Sequence, residues 1–406
     1  MSEQPRSRRQ FLKLGLAAGL APGISAPAMV GSGARARVTS YRRLGRTGLE
    51  ISDISFGASR LRMGQEDLVR HALDCGINYF DSAYGYTGGN SETVLGNVLA
   101  GQRDKVVLVS KVEGTAAWSA AQMMVHLDAS LKRLRTDYID IYMAHAVNDV
   151  ERLKSPEWHA FVEQARQQGK IRFVGMSGHA GHLVECLDYA LDQDMVDVIL
   201  CAYNFGQDPE FYARFTRSFN FVARQPDLPR VLARAKSQGV GVVAMKTLMG
   251  ARLNDMRPFE TRTDSTYAQA AFRWVLSNPD VDALIISMTS IEQINEYLGA
   301  SGASALAAGD VELLFKYAAL NGASYCKHAC QECEGACPNG VDIADVLRTR
   351  MYATDYGDLA FARESYAALG VNASACADCS GEPCQGACPH GIRIERLCGS
   401  THALLS

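Results

Sequence analysis

Four residues of this chain could together exchange a proton with a bound substrate, namely Asp81, Tyr86, Lys111 and His145. Three of them, Asp81, Lys111 and His145, each close a short apolar run of strand character, and Tyr86 follows Asp81 by five residues. In a chain of alternating strands and helices, residues at the carboxyl ends of the strands meet on one face, where barrel enzymes place their chemistry. A lysine beside a tyrosine lowers the pKa of the phenol, an aspartate fixes the lysine, and a neutral histidine orients a carbonyl. The set therefore predicts carbonyl reduction or alcohol oxidation.

Eight apolar runs between residues 40 and 300, each followed by a helical pattern, are the elements that would position these side chains. The predicted strands are Ile51–Phe56, Ile77–Phe80, Val106–Ser110, Tyr138–Ala144, Ile171–Met176, Val196–Ala202, Val240–Met245 and Ala283–Ser287. Eight such units over about 260 residues are the usual size of a TIM (β/α)8 barrel. The alternative, a doubly wound open sheet, would carry a Gly-x-Gly-x-x-Gly turn after its first strand, and none is there. The predicted fold class is therefore α/β, with a barrel over residues 40–301.

The composition and the N-terminus indicate what kind of protein this is. A chain of 406 residues, 47% hydrophobic and 21% charged, is globular and exceeds one ordinary core. Its net charge of -3 gives no basis for nucleic-acid binding, and its apolar stretches are too short to span a membrane. Ser7-Arg-Arg-Gln-Phe-Leu-Lys13 fits a twin-arginine export signal with a cleavage site near Ala28, although an ordinary basic N-terminus is the alternative. We therefore expect residues 1–28 to be a signal peptide read by the twin-arginine translocation machinery, and the protein to be periplasmic or otherwise exported.

Eight of the twelve cysteines fall in the last fifth of the chain, in two runs that each end in Cys-Pro. The runs are Cys326-x3-Cys330-x2-Cys333-x3-Cys337 and Cys376-x2-Cys379-x4-Cys384-x3-Cys388. Four cysteines that close on Cys-Pro are typical of 4Fe–4S ligation, whereas disulfides, two zinc sites and mixed or partial clusters are the alternatives. In two-cluster ferredoxins the fourth cysteine of one run ligates the other cluster. We therefore expect one cluster to be ligated by Cys326, Cys330, Cys333 and Cys388, and the other by Cys376, Cys379, Cys384 and Cys337.

The segment that carries these cysteines has helical spacing, unlike the β-rich small ferredoxins. Apolar residues recur three and four apart over Val341–Tyr352 and Gly357–Leu369. We predict a mostly helical, ferredoxin-like domain over residues 326–406 that holds both four-cysteine motifs. Residues 302–325 are predicted to form a linker and a helix between this domain and the barrel.

Six short motifs follow one another in the order and spacing of a known family. They are Leu44-Gly-Arg-Thr-Gly-Leu49, Tyr79-Phe-Asp-Ser-Ala83, Asn90-Ser-Glu-Thr-Val-Leu-Gly96, Asp137-Tyr-Ile-Asp-Ile-Tyr142, Gly175-Met-Ser177 and Tyr203-Asn204. On these residues the chain from about residue 41 to 300 resembles the aldo-keto reductases, and its C-terminal extension resembles their iron–sulfur branch. The resemblance implies Tyr86 as the proton donor, with Lys111 and Asp81 lowering its pKa and His145 orienting the carbonyl.

The same resemblance implies a nicotinamide cofactor, with Ser177 at the nicotinamide amide and Tyr203 beneath its ring. Gly178 stands where an asparagine is usual, and Leu200 stands where a glutamine is expected. The other implied cofactor contacts are Lys246, Thr289, Ser290 and Gln293. Ser287 and Gln293 replace basic residues that hold a 2′-phosphate in the family, so we expect weak preference for NADPH, or use of NAD(H), with Lys246 still able to serve a phosphate.

The sequence thus predicts an exported oxidoreductase that interconverts a carbonyl and an alcohol, such as a sugar or other polyol, by nicotinamide hydride transfer. Two 4Fe–4S clusters would relay electrons to a redox partner protein or a quinone system. The alternative is an iron–sulfur electron-transfer protein whose barrel is a non-catalytic module that binds a ligand or partner. A further alternative is that the clusters only stabilise the fold.

Overall fold

A computed structural model describes residues 36–114, 116–207, 225–249, 255–260, 265–321, 326, 330, 332–379 and 383–406. The predicted signal peptide at residues 1–28 lies outside these residues, as do residues 322–325 of the predicted linker. In the part of the chain that the structure describes, no helix is both long enough and apolar enough to cross a membrane.

Eight parallel strands close into a barrel, which confirms the predicted (β/α)8 fold. The strands of the chain are Tyr41–Arg43 (β1), Glu50–Ser52 (β2), Ile54–Gly57 (β3), Tyr79–Asp81 (β4), Val107–Val112 (β5), Ile139–Ala144 (β6), Ile171–Gly178 (β7), Val198–Ala202 (β8), Gly241–Met245 (β9) and Ala283–Ser287 (β10). Strands β3 to β10 pair in chain order, and β10 pairs with β3 to close the ring. Strands β1 and β2 form an antiparallel hairpin, so Ile51 and Ser52 belong to this hairpin and not, as predicted, to the first barrel strand.

Helices follow the barrel strands and bury their apolar faces against the outside of the barrel. Their bounds are Glu66–Asp74 (α1), Asn90–Leu99 (α2), Ala120–Leu134 (α3), Val150–Lys154 (α4), Pro156–Gln167 (α5), Leu183–Asp192 (α6), Leu228–Ser237 (α7), Arg257–Glu260 (α8), Tyr267–Leu276 (α9) and Ile291–Leu298 (α10). Helices α3 and α9 begin at capping boxes, in which Ser119 pairs with Gln122 and Thr266 pairs with Gln269.

Side chains along each barrel strand alternate between the barrel interior and the surrounding helices. On β5, Val109 lies in the interior cluster and Leu108 in the outer one, so Lys111 continues the inward series. On β6, Met143 lies in the interior cluster, and His145 continues the same series two residues later. Lys111 and His145, which end these two inward-facing series, therefore lie at the carboxyl end of the barrel, beyond its apolar interior.

In the described part of the chain after the barrel there are five further α-helices. They are Asp310–Asn321 (α11), Ile343–Thr354 (α12), Leu359–Ala367 (α13), Pro383–Ala387 (α14) and Ile394–Leu405 (α15). The two helices predicted from apolar spacing in this region correspond to α12 and α13. A small core that includes Val346, Tyr366 and Ile394 holds α12 to α15 together, separately from the barrel cores.

Candidate active site

The four predicted catalytic residues line one cavity of about 380 Å³ at the carboxyl ends of the barrel strands. Small-molecule sites usually enclose about 300–1,000 Å³. Asp81 ends β4, Lys111 lies inside β5, His145 follows β6, and Tyr86 opens a short 3-10 turn after β4. The alternating strand pattern therefore brings these side chains together, although the structure keeps Asp81 and Lys111 within their strands.

Lys111 and Asp81 form a buried ion pair at the base of the cavity. The Nζ to Oδ1 distance is 2.5 Å, with the side chains 1% and 2% exposed, and Nζ also donates to the Ser82 carbonyl at 2.7 Å. Burial outweighs the attraction between the two charges, so the pKa of Asp81 is raised and the pKa of Lys111 is lowered. The second carboxylate oxygen, Oδ2, has no hydrogen bond from the described residues. The pair is therefore held rigidly and leaves one acceptor free.

Tyr86 is held beside this pair, but its pKa does not follow the expectation drawn from the resemblance. Lys111 Nζ lies 5.2 Å from the centre of the Tyr86 ring. Burial, and then the charge of Asp81, raise the pKa of Tyr86 well above its usual value. The expectation that Lys111 and Asp81 lower this pKa is therefore wrong for this structure, because burial of the phenol raises the pKa and the charge of Asp81 raises it further. The phenol is protonated at neutral pH, which suits a proton donor.

His145 connects Tyr86 to a carboxylate that the sequence analysis missed. His145 Nε2 lies 3.5 Å from Tyr86 Oη, at the long limit of a hydrogen bond, and Nδ1 lies 3.1 Å from Glu113 Oε1. Burial lowers the pKa of His145, and Glu113 opposes this shift, so the imidazole is neutral at neutral pH. The Glu113 side chain is 69% exposed. Glu113 continues the inward series of Val109 and Lys111, and this period of two is the signal that could have found it.

Of the predicted cofactor contacts, Ser177 and Lys246 line the cavity, as does Leu200. Ser177 Oγ accepts a hydrogen bond from the backbone N–H of Ala146 at 3.0 Å, which also fixes the segment after β6. The structure does not bring Tyr203 to the cavity lining. Tyr203 is 1% exposed, and its hydroxyl accepts a hydrogen bond from Asn278 at 3.0 Å.

The predicted nucleotide segment after β10 divides into lining residues and supporting residues. Ser287 and Gln293 line the cavity, whereas Thr289 and Ser290 lie outside its lining. Thr289 donates from both its backbone N–H and its hydroxyl to Gln293 Oε1, each at 2.9 Å. Ser290 caps helix α10 by accepting from the Gln293 N–H. Thr289 and Ser290 therefore orient Gln293.

The C-terminal helices supply a second wall of the same cavity, which no motif predicts. The lining residues from this region are Asp345, Arg348, Thr349, Met351, Tyr352, Tyr356, Phe361, Ser365 and Leu369. Arg60, in the loop after β3, donates to Asp358 from Nε and Nη2 at 3.2 and 3.0 Å, and Arg62 donates to the other carboxylate oxygen at 3.1 Å. The Arg60 guanidinium also lies 4.9 Å from the centre of the Tyr356 ring. These contacts fasten the C-terminal helices over the barrel mouth.

The aldo/keto reductase family profile matches residues 54–316. The chain belongs to the aldo/keto reductase family. It is 28% identical over 298 residues to L-galactose dehydrogenase from Arabidopsis thaliana, covering 64% of this chain and 87% of the relative. It is 25% identical over 313 residues to L-glyceraldehyde 3-phosphate reductase from Escherichia coli, covering 63% and 86%. A holo aldo-keto reductase structure from Bacillus halodurans shares the fold, with a TM-score of 0.53, 24% identity, and coverage of 68% of this chain and 95% of that one.

Family membership makes the protein an NAD(P)-dependent oxidoreductase. The cavity of this aldo-keto reductase fits such a cofactor, because one continuous space joins the catalytic residues to Ser177, Lys246, Ser287 and Gln293. Lys246 lines the cavity and forms no ion pair with the described residues, unlike Lys111. Its ammonium group can therefore contact a phosphate of the bound cofactor.

Five of the eight cysteines in the two runs form no disulfide in this aldo-keto reductase, namely Cys337, Cys376, Cys379, Cys384 and Cys388. Burial, and then the neighbouring thiols of Cys337, Cys384 and Cys379, raise the pKa of Cys376. Cys337, in the first run, therefore lies close enough to Cys376 and Cys384, in the second run, to raise the pKa of both thiols. Among the residues that the structure describes, no three His, Cys, Asp or Glu side chains are arranged to hold a metal ion. Thiols from the two runs thus lie near one another in the structure.

Proposed function

We propose that this aldo-keto reductase interconverts a carbonyl and an alcohol on a small polyhydroxylated substrate, such as a sugar. The observation that carries the proposal is the convergence of Asp81, Tyr86, Lys111 and His145 on one cavity. A sugar-sized substrate agrees with the names of two relatives, L-galactose dehydrogenase and L-glyceraldehyde 3-phosphate reductase. The nicotinamide cofactor, when bound, supplies or accepts the hydride.

Tyr86 is the group that exchanges the proton with the substrate oxygen. Its raised pKa keeps Oη protonated, so in the reducing direction the hydroxyl donates to the carbonyl oxygen. In the oxidising direction Oη takes the alcohol proton after its own proton has passed to His145 Nε2, 3.5 Å away. His145 Nδ1 lies 3.1 Å from Glu113 Oε1 without hydrogen-bond geometry, so the side chains must realign before the proton passes to Glu113, whose side chain is open to solvent. Tyr86, His145 and Glu113 thus follow one another from the substrate oxygen to the solvent.

Lys111 and Asp81 orient the site without exchanging protons. The 2.5 Å ion pair fixes Lys111 Nζ near the Tyr86 ring, and the strands β4 and β5 fix the pair. A cation at this distance attracts the face of the aromatic ring, which helps to hold the phenol in place. The free Oδ2 of Asp81 leaves one acceptor for a bound group.

We further propose that the protein is exported through the twin-arginine pathway and carries two 4Fe–4S clusters. Cys376, Cys379, Cys384 and Cys337 would ligate one cluster, and Cys326, Cys330, Cys333 and Cys388 the other. The closeness of Cys337, in the first run, to Cys376 and Cys384, in the second run, supports this crossed grouping. The clusters would pass single electrons between the protein and a redox partner protein or quinone system.

The catalytic proposal is tested with Tyr86→Phe, which removes one hydroxyl and keeps the ring. We expect turnover of carbonyl and alcohol substrates to fall by about 10²–10⁴-fold, because a positioned acid–base group contributes that much. Nucleotide affinity should stay at the wild-type value. Tyr84→Phe is the matched control, since Tyr84 lies two residues away and outside the cavity lining. Unchanged turnover in Tyr86→Phe for every substrate would refute the proposal and favour a non-catalytic barrel.

The cluster proposal is tested by measuring iron and acid-labile sulfide after purification without air. Two clusters correspond to about eight iron atoms per chain. Cys337→Ser should remove the iron of the cluster that includes Cys376, and Cys186→Ala, a buried cysteine outside both runs, should remove none. Zinc in place of iron, or an iron content below one cluster in the wild-type protein, would contradict the proposal.

A further inference from the structure

Lys246 occupies an unusual place in the cavity. It directly follows strand β9, its backbone has a φ of 56°, and its side chain lines the cavity. The left-handed region is costly for a residue with a side chain, and residues held there occur at turns, helix ends and active sites. Among the described residues, Lys246 forms no ion pair, which distinguishes it from Lys111 in the same cavity.

Arg348 approaches Lys246 from the opposite wall of the cavity. It lies on helix α12 of the C-terminal region, its side chain is 17% exposed, and it pairs with Asp345 one turn earlier. Burial, and then the charge of Arg348, lower the pKa of Lys246 to about 7, while Asp345 opposes them. Lys246 and the Arg348–Asp345 ion pair therefore line the same cavity closely enough for both charges of the pair to act on Lys246.

The other basic side chains that line the cavity have carboxylate partners. Lys111 pairs with Asp81, and Arg60 pairs with Asp358. Arg348 pairs with Asp345, so Lys246 is the cavity cation for which the described residues supply no carboxylate partner. Ser287 and Gln293 also line the cavity and offer hydrogen bonds but no charge.

We propose that Lys246 of the barrel and Arg348 of helix α12 together bind a phosphoryl group, so that the C-terminal region completes the ligand site. A phosphoryl dianion favours the protonated form of Lys246, and the Arg348 guanidinium has five N–H donors, enough to bind the phosphoryl oxygens as well as Asp345. Arg348 then supplies the cation that Ser287 and Gln293 lack. The group belongs either to the nicotinamide nucleotide or to a phosphorylated substrate. This inference rests on the proposed function, because that function names the nucleotide and the substrate as the ligands that can carry the phosphoryl group.

The test compares Arg348→Ala and Lys246→Ala with Arg350→Ala in the full chain. Arg350 lies on the same helix, donates to Ser400 and is absent from the cavity lining, so it controls for loss of charge on α12. The dissociation constants of NADPH and NADH are measured by fluorescence titration, together with the KM for an aldose and its phosphate ester. We expect each site variant to weaken one ligand class by about tenfold or more, and Arg350→Ala to change none.

The pattern of losses identifies the source of the phosphoryl group. If the variants bind NADPH more weakly and NADH unchanged, the bound group is the 2′-phosphate of NADPH. If the affinities for both nucleotides fall equally, it is the diphosphate. If only the KM for the phosphate ester rises, it is the phosphate of the substrate. Arg348→Lys, which keeps the charge but not the planar donor pair, should lie between wild type and Arg348→Ala and guards against a misfolded variant. Site variants that match Arg350→Ala for all four ligands would overturn this inference. Wild-type protein that binds neither nucleotide would instead overturn the proposed function.

Discussion

The two walls of the cavity are built in different ways. On the barrel wall, backbone pairing between neighbouring strands fixes the residues, with Asp81 opposite Val109 and Lys111 opposite Met143. On the C-terminal wall, side-chain contacts to Asp358 hold helices α12 and α13 over the barrel mouth. The barrel wall therefore keeps its geometry as long as the barrel is folded, whereas the C-terminal wall depends on a few polar contacts.

The difference in burial follows the same division. The Lys111–Asp81 pair is almost fully removed from water, while Arg62 and Asp358 on the C-terminal side keep 34% and 15% exposure. Charges that are shielded from water interact strongly but carry a large desolvation cost. Exposed charges interact weakly and carry little desolvation cost. We therefore expect damage to the barrel wall to affect folding and chemistry together. Damage to the C-terminal wall should mainly affect ligand exchange.

The strongest test of this comparison is Lys111→Met. The substitution leaves the Asp81 carboxylate buried without its partner, which should lower the free energy of unfolding by about 3–5 kcal/mol at neutral pH and abolish most activity. Urea unfolding and steady-state turnover measure the two effects. Lys154→Met removes a lysine from an exposed ion pair with Glu151 and should leave the free energy of unfolding near the wild-type value.

A double variant separates the stability effect of Lys111 from its catalytic effect. Asp81→Asn combined with Lys111→Met removes both charges, so most of the lost free energy of unfolding should return. Activity should stay low, because the cation near the Tyr86 ring is still missing. A Lys111→Met protein as stable as wild type would show that the pair is not the rigid base of the barrel wall.

The second test acts on the C-terminal wall through Asp358→Asn. This change weakens the ionic hydrogen bonds from Arg60 and Arg62 and should lower the free energy of unfolding by about 1–3 kcal/mol. Nucleotide should dissociate several-fold faster in stopped-flow measurements, because local opening of the wall exposes the cavity. Asp67→Asn, in an exposed pair with Arg70, is the control and should change neither quantity. Unchanged nucleotide release in Asp358→Asn would mean that the C-terminal wall does not gate the cavity.

The barrel wall could be predicted from the sequence because its order is local. Strand parity places Lys111 and His145 on the inward face, and the chain order of parallel strands brings their ends together. The same parity would have added Glu113. The pKa of Tyr86 was mispredicted because the sequence shows that a lysine is near but not that the phenol is buried and that the charge of Asp81 raises its pKa further.

The C-terminal wall could not be predicted because its contacts join distant parts of the chain. The spacing predicts helices α12 and α13 correctly, but it does not show on which surface they pack. The pairing of Asp358 with Arg60 and Arg62 spans about 300 residues and involves common charged residues with no motif of their own. The position of Arg348 opposite Lys246 depends on that packing. It therefore emerged only from the structure.

The smallest expected effect concerns Glu113, which joins the rigid barrel wall to solvent. The Glu113 carboxylate opposes the lowering of the His145 pKa by burial, so Glu113→Gln should lower that pKa further. Because His145 must be neutral to take the Tyr86 proton during alcohol oxidation, the acid limb of the kcat profile should move to lower pH. The plateau rate should stay within about fivefold, since an exposed ion pair contributes at most about 1 kcal/mol. Glu151→Gln should leave the profile in place. An acid limb that stays fixed or moves to higher pH in Glu113→Gln would exclude the path from Tyr86 through His145 to Glu113.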